Sequence, residues 1–281
     1  MTLFLRQFRA ELLKMFARKR TWIGFGAFFG LELLILGLSQ TKGAQQGFRN
    51  FLENNGAMFD EYFGGLTLAF NIMAITAVTL GVLFLSLVAG DIVSKEVEDG
   101  TMRMTLCRPV ARGRVLIVKF LAAHLYGLVL VAYIGCTALL TGLAWRGMGS
   151  LCAVVPEEHL LALFPPGGGL ARYAAGLPLF ALSLSTIVSL AFLFSCCDIK
   201  PAAATVNTIT IMLVDRILYF WPQFASFKAW FMTTHMVTWV NVFRSPIPWA
   251  NMAEDYAFLL GLNITFFVIG WTIFLRRDFK S

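Results

Sequence analysis

Adjacent cysteines at Cys196-Cys197, three scattered histidines (His124, His159, His235), the run Glu157-Glu158-His159 and the glycine run Gly167-Gly168-Gly169 are the residues with the most obvious chemical capacity in this sequence. Thiolates and imidazoles could hold zinc, but none of the five cysteines (Cys107, Cys136, Cys152, Cys196, Cys197) forms a C-x-x-C pair or stands at a zinc-like spacing from a histidine. On a helix, Cys196 and Cys197 would point about 100° apart and act as two small apolar residues, so no metal site is expected. The glycines suggest a phosphate cradle, yet no G-x-x-x-x-G-K-[ST] occurs anywhere in the sequence, so the chain is expected to bind no ATP and no other cofactor. H-E-x-x-H and a carboxylate pair beside a nucleophile are also missing, which argues against an enzyme. Asn263-Ile264-Thr265 matches a glycosylation sequon but lies inside an apolar run that no transferase could reach.

Three polar residues inside apolar runs matter more. Glu32 lies about ten residues, or ~15 Å, into the first such run; a carboxylate at that depth costs at least ~2.5 kcal/mol and usually faces a bundle interior or a wet cavity, with a partner. His124 and Asn263 fall at comparable depth in the third and sixth runs, so Glu32, His124 and Asn263 are the candidate lining of a substrate path. Pairing that merely holds helices together is the alternative reading of Glu32. Replacing it with Gln separates the two, since Gln keeps size and hydrogen bonding.

The elements that position these residues are set by hydropathy. The composition is 58% hydrophobic and 14% charged with a mean hydropathy of +0.73, which is far more apolar than a soluble domain. One long charged island, residues 91–119, interrupts the apolar runs with Asp91, Lys95, Glu96, Glu98, Asp99, Arg103, Arg108, Arg112, Arg114 and Lys119. Its acidic half is expected to open a short helix, where negative charge suits the dipole. Gly100 should take a left-handed corner and Pro109 force a second break, giving a bent charged hairpin at a membrane face.

The order Glu96, Gly100-Thr101, Leu106, Arg108-Pro109, Arg112, Lys119 resembles the loop after the second span of type-2 ATP-binding-cassette permeases, roughly E-x-x-x-G-T, then L-x-x-P, then an Arg and a Lys leading into the third span. The resemblance implies that residues 91–114 form the coupling loop against a cytoplasmic ATPase subunit, with Glu96, Gly100, Thr101, Arg108, Pro109 and Arg112 as its contact or shaping residues and Glu96 paired with a basic residue of that subunit. It also implies two ATPase copies carrying ATP and Mg, a second permease copy (a homodimer or a heterodimer), and transport that is usually export.

The fold expected is all-α: a single transmembrane permease domain over residues 1–281 with six spans. Residues 1–20 carry Phe4, Phe8, Leu12, Met15 and Phe16 at helical spacing opposite Arg6, Arg9, Lys14 and Arg18, an amphipathic elbow lying on an anionic leaflet. The spans are read as residues 22–38, 65–89, 115–143, 173–197, 202–220 and 256–275. Residues 40–62 read as an outer loop, 145–172 as an outer segment with a Pro-Gly turn at 165–169, 198–201 as a tight turn, and 221–255 as outer re-entrant or interfacial helices rich in Trp.

Of 23 Lys and Arg, 16 fall at one membrane face: six in residues 1–20, six in the island, one at Lys200 and three after residue 275. Both termini are therefore expected in the cytoplasm and the chain in the inner membrane, with lipid rather than nucleic acid explaining the net charge of +7. Two other functions are compatible with the sequence. One is a non-transporting transmitter acting on an extracytoplasmic partner; the other is a membrane enzyme using Glu32, His124 or Glu157-Glu158-His159.

Overall fold

A computed structural model describes residues 3–277 apart from 57, 108–110, 156, 157 and 159. Arg108 and Pro109 of the charged island, and Glu157 and His159 of the acidic run, thus lie outside the described residues. Among the described residues, six helical stretches are long and apolar enough to cross a membrane: Lys19–Ser39, Gly65–Glu98, Arg112–Arg146, Pro166–Cys196, Pro201–Phe220 and Trp249–Arg276. With no water in the hydrocarbon, each backbone amide must be bonded within its own segment, so long apolar runs can only become helices.

The first helix, α1 (Leu3–Ala17), packs its apolar stripe, with Met15 fully buried, against the third span. Arg18 then adopts an extended conformation and the chain turns into α2 (Lys19–Ser39), the corner fastened by Thr21 Oγ1 donating to Met15 O at 2.7 Å. Beyond α2, the expected loop 40–62 is helical: α3 (Lys42–Asn54) and α4 (Phe59–Tyr62). A hydrophobic stripe in 42–54, with Phe48, Phe51 and Leu52 on one side, supplies the reason, and Leu52 and Phe59 are buried.

The second span is one continuous stretch made of α5 (Gly65–Thr76), a π-helical segment (Ala77–Gly81) and α6 (Val82–Glu98). It crosses the third span, α8 (Arg112–Arg146), at a point without side chains: Gly65 N–H donates to Gly147 O at 3.1 Å, and a Cβ on Gly65 would come within 2.7 Å of Gly142 O. The fourth span, α9 (Pro166–Cys196), packs against α6, α8 and the sixth span, α12 (Trp249–Arg276), while the fifth, α10 (Pro201–Phe220), packs chiefly against α6. Buried Tyr173, Phe180, Ile187 and Phe192 of α9 make it the central post of the bundle.

Several boundaries differ from the expectation. Acidic residues 91–99 do not open a helix; they end α6, and Lys95 offsets the unfavourable charge at that C-terminus by pairing with Glu98 (2.7 Å) and Asp99 (3.2 Å). Glycines 167–169 lie inside the first turn of α9 instead of making a turn, because Pro166 at its start has the fixed φ a helix needs. The all-α expectation misses one antiparallel hairpin in 145–172, β1 (Leu151–Val155) paired with β2 (Leu160–Phe164), Leu151 facing Phe164. Burial there pushes the Cys152 thiol up to about 12, so it is inert at neutral pH. Residues 221–255 form a 3-10 stretch (Pro222–Trp230), α11 (Met232–Met236), a second 3-10 stretch (Thr238–Phe243) and the first turns of α12. Trp221, Trp230 and Trp249 are exposed there, as amphipathic rings at a headgroup boundary would be.

Candidate coupling site and substrate path

Spans two and three outrun a bilayer. At 34 and 35 residues they are ~50 Å long, against the ~30 Å of a hydrocarbon core. The excess falls at the end where α1 packs against α8 and where the charged residues of 91–119 lie. Between the two helices sits α7 (Thr101–Leu106), reached through Gly100 at φ +72°, a left-handed corner that an L side chain rarely adopts. Gly100 N–H donates to Val97 O (3.0 Å) and Thr101 Oγ1 to Glu96 O (3.2 Å), which closes the end of α6 and starts α7. The corner presents Glu98, Asp99, Gly100, Thr101, Arg103 and Met104 to the outside, Met104 being 67% exposed.

Glu96 is not part of that outward surface. It is buried, and its Oε1 accepts from Lys119 Nζ at 2.9 Å and from Lys14 Nζ at 3.4 Å. Lys119, 1% exposed, also reaches Glu11 Oε2 at 3.1 Å, and Lys14 reaches Glu11 Oε1 at 2.9 Å. Two carboxylates and two ammonium groups therefore form one neutral cluster joining α1, α6 and α8 at the root of the hairpin. Burial alone would raise the Glu11 carboxyl, but the charges of Lys119 and Lys14 outweigh it and hold it below its ordinary value. Burial likewise opposes the Lys14 charge, and Glu11 and Glu96 override it, so the ammonium is held above its ordinary range.

Beside this cluster, Asp91 of α6 pairs with Arg20 at the start of α2. Ser195 Oγ of α9 accepts from Val93 N–H (2.9 Å) and Ser94 N–H (3.0 Å), gripping α6 one turn above the hairpin. A groove of about 390 Å³, lined by Gln7, Glu11, Lys14, Thr101, Met104 and Val118, runs between α1 and α7. Arg112, at the first turn of α8, begins the return helix.

Of the candidate path residues, His124 and Asn263 bond to Ser189 and Ser185, one turn apart on α9, while Glu32 has a separate partner. Glu32, 0% exposed, accepts from Thr137 Oγ1 at 3.0 Å and joins α2 to α8. His124 donates from Nδ1 to Phe120 O (2.9 Å), since a carbonyl can only accept, and its Nε2 lies 3.1 Å from Ser189 Oγ of α9. Asn263 Nδ2 donates to Ser185 Oγ at 2.9 Å and ties α12 to α9. The three bonds join α2 to α8, α8 to α9 and α12 to α9.

A cavity open to the outside on one flank of the bundle was not singled out from sequence. It has a volume of about 270 Å³ between α6, α9, α10 and the 232–239 segment, and Val82, Leu184, Met212, Arg216 and Trp239 are among its walls. Its one sequence signal was Arg216 within an apolar span. The π-helical segment contributes Val78 and Thr79 to the same cavity, and an interrupted helix of this kind often marks a functional position.

A family profile described as "ABC-2 family transporter protein" matches residues 7–197, from the elbow through the fourth span. No curated protein matches the chain closely enough to count as a relative. That matched region holds the neutral cluster, the left-handed corner and the hairpin, and it covers well over half of the sequence; the chain belongs to the ABC-2 family of transporter proteins and is a permease component of an ABC transporter.

Proposed function

We propose that this chain is the membrane half of an exporter in which ATP and Mg are handled on a separate ATPase subunit, present in two copies beside two permease copies. The observation that carries the reading is the hairpin at the end of two overlong spans, with an outward face at Glu98–Met104 and a root fixed to the elbow helix by the Glu11, Lys14, Glu96 and Lys119 cluster. A push on α7 is passed to α6 and α8 directly and to α1 through the cluster, because all three helices share its charges. Thr101 and the Gly100 corner present the contact, Arg112 starts the return helix, and Glu96 holds the root. With the charge asymmetry of the sequence, this face is cytoplasmic and the membrane is the inner one.

The test is the Gly100→Val variant in the assembled complex, reconstituted in proteoliposomes. Val at a positive φ distorts the corner while leaving the spans intact. The expected result is normal membrane insertion with ATP hydrolysis no longer modulated by the permease. Unaltered modulation by Gly100→Val would remove the hairpin from the coupling role.

A further inference from the structure

The 3-10 stretch Pro222–Trp230 follows α10 at the end of the bundle remote from the 91–119 island. Phe224, Phe227 and Trp230 recur every three residues, the period of a 3-10 helix, so they form one ridge, with Trp221 in line just before it. All four rings are exposed, from 38% at Phe224 to 75% at Trp230, so little buried apolar surface holds the stretch in place. Polar ties matter there. Lys228 Nζ lies over the Tyr219 ring at 4.9 Å, Thr234 Oγ1 donates to Lys228 O at 2.6 Å, and His235 of α11 reaches Ala229 O at 3.0 Å.

His235 has an acceptor against each ring nitrogen. Nδ1–H donates to Asp255 Oδ1 of α12 at 2.7 Å and Nε2–H to the Ala229 carbonyl at 3.0 Å. That carbonyl is open to His235 because the two amides that would reach it along the chain, those of Met232 and Thr233, donate instead to Oδ1 (3.1 Å) and Oδ2 (2.7 Å) of Asp215. Asp255 takes a second bond, from Thr238 Oγ1 at 2.7 Å, as an ionised carboxylate does. A neutral imidazole has one N–H, so it serves one of its two acceptors and turns a lone pair on the other. Only the imidazolium makes both bonds. Other titratable groups on the packed elements are engaged elsewhere or exposed: on α9, Arg172 donates to the Val242 and Arg244 carbonyls and Tyr173 to Gly135 O; on α12, Tyr256 donates to Leu179 O and Glu254 is exposed; on α10, the Arg216 guanidinium lies over the Phe220 ring at 5.7 Å. The 238–243 stretch and the rest of α11 carry no titratable side chain.

We propose that His235 is a proton-operated clasp on the aromatic ridge. As imidazolium it bridges Ala229 and Asp255 and so ties the 222–230 stretch to α12. Neutral, it keeps the bond to the carboxylate, which is charge-assisted, and lets go of Ala229. The clasp therefore tightens as pH falls on that side of the membrane and slackens as pH rises. Asp215 would act in the opposite sense, because a proton on its carboxylate removes an acceptor from Met232 or Thr233 and loosens α11 at low pH. Thr238 stays on Asp255 in both states, so the 238–243 stretch does not respond. The clasp works in the same way whichever direction the transporter runs.

The purified full chain in detergent is followed by hydrogen–deuterium exchange at about pH 5 and about pH 8, the range in which histidine changes charge. The exchange rate of residues 222–231 is divided by that of residues 238–243 at the same pH, which cancels the base-catalysed chemistry. In the wild type this ratio should rise about tenfold from the lower pH to the higher, the worth of one hydrogen bond from a charged donor. Asp255→Asn should keep the ratio low at both, since the Asn amide donates to a neutral Nδ1 and accepts from Thr238 while Nε2–H stays on Ala229. His235→Phe keeps a ring against Phe258, on which the imidazole stacks at 3.9 Å, but has no donor, so its ratio should be high at both. If that variant fails to fold, Asp255→Asn still decides. A wild-type ratio that does not change with pH, or that rises as pH falls, overturns the proposal. So does an Asp255→Asn or His235→Phe protein that keeps the wild-type rise, which would place the responsible proton elsewhere.

Discussion

Lys119→Met is the sharpest perturbation of the coupling root. The wild-type cluster is neutral, with Glu11 and Glu96 against Lys14 and Lys119. Removing the buried ammonium leaves two carboxylates to share Lys14, which is 2.9 Å from Glu11 and 3.4 Å from Glu96. Breaking a buried pair from one side costs about 3–5 kcal/mol; for a chain of this size that is roughly 6–20 °C in Tm. The double variant Glu96→Gln with Lys119→Met removes one charge of each sign and leaves Glu11 and Lys14 paired, so most of the loss should return. Thermal unfolding of the detergent-solubilised chain gives the stability, and ATP hydrolysis by the assembled complex gives coupling. Because these charges tie α1 to the root of the hairpin, the single variant should lose coupling even at temperatures where it stays folded. A Lys119→Met protein as stable as wild type, or a double variant no better than the single, would refute the reasoning that the four groups act as one unit.

Stability should also depend on pH through the same cluster. Glu11 has its carboxyl held below its ordinary value of 4.5, so its contribution is complete above that value and is lost as pH falls through the lower folded value; Glu11→Gln should flatten the acid limb of Tm against pH. Lys14 is held above 10.5, so its contribution is complete below that value and fades as pH rises through the folded one, which Lys14→Met should abolish. At the crossing of spans two and three, Gly65→Ala places a methyl against the backbone oxygens of Gly142 and Gly147, which cannot rotate away; a loss of about 1–3 kcal/mol is expected in thermal or denaturant unfolding, with Gly261→Ala, whose added methyl meets nothing, as the neutral control. Glu32→Gln should keep the bond from Thr137 and leave transport range and its pH profile unchanged, a result read from uptake in vesicles; a shifted substrate range would return Glu32 to the path.

Number and order of spans were legible in the sequence because the hydrocarbon leaves an apolar run of twenty or more residues no choice but helix. The corner at Gly100 was legible too, since a glycine between a charged helix end and Thr101 is the cheapest way to reverse the chain. Partner identity was not. Glu96 finds Lys119 and Lys14, and Glu32 finds Thr137, across 23, 82 and 105 positions of chain, and only the packing of α1, α2, α6 and α8 decides which charges meet. The acidic end of α6 was misread because local dipole preference is worth a few tenths of a kcal/mol, which the pairing of Lys95 and the continuation of an apolar helix easily override. The β1–β2 hairpin escaped for a related reason: its strands are short apolar runs that no periodicity distinguishes from helix, and β1 becomes a strand by resting on Thr67 of α5. Sequence thus determined where the chain crosses the membrane and where it must turn, both of which are local consequences of backbone hydrogen bonding; tertiary structure decided which buried polar groups satisfy one another, because that depends on neighbours the chain meets only once it is folded.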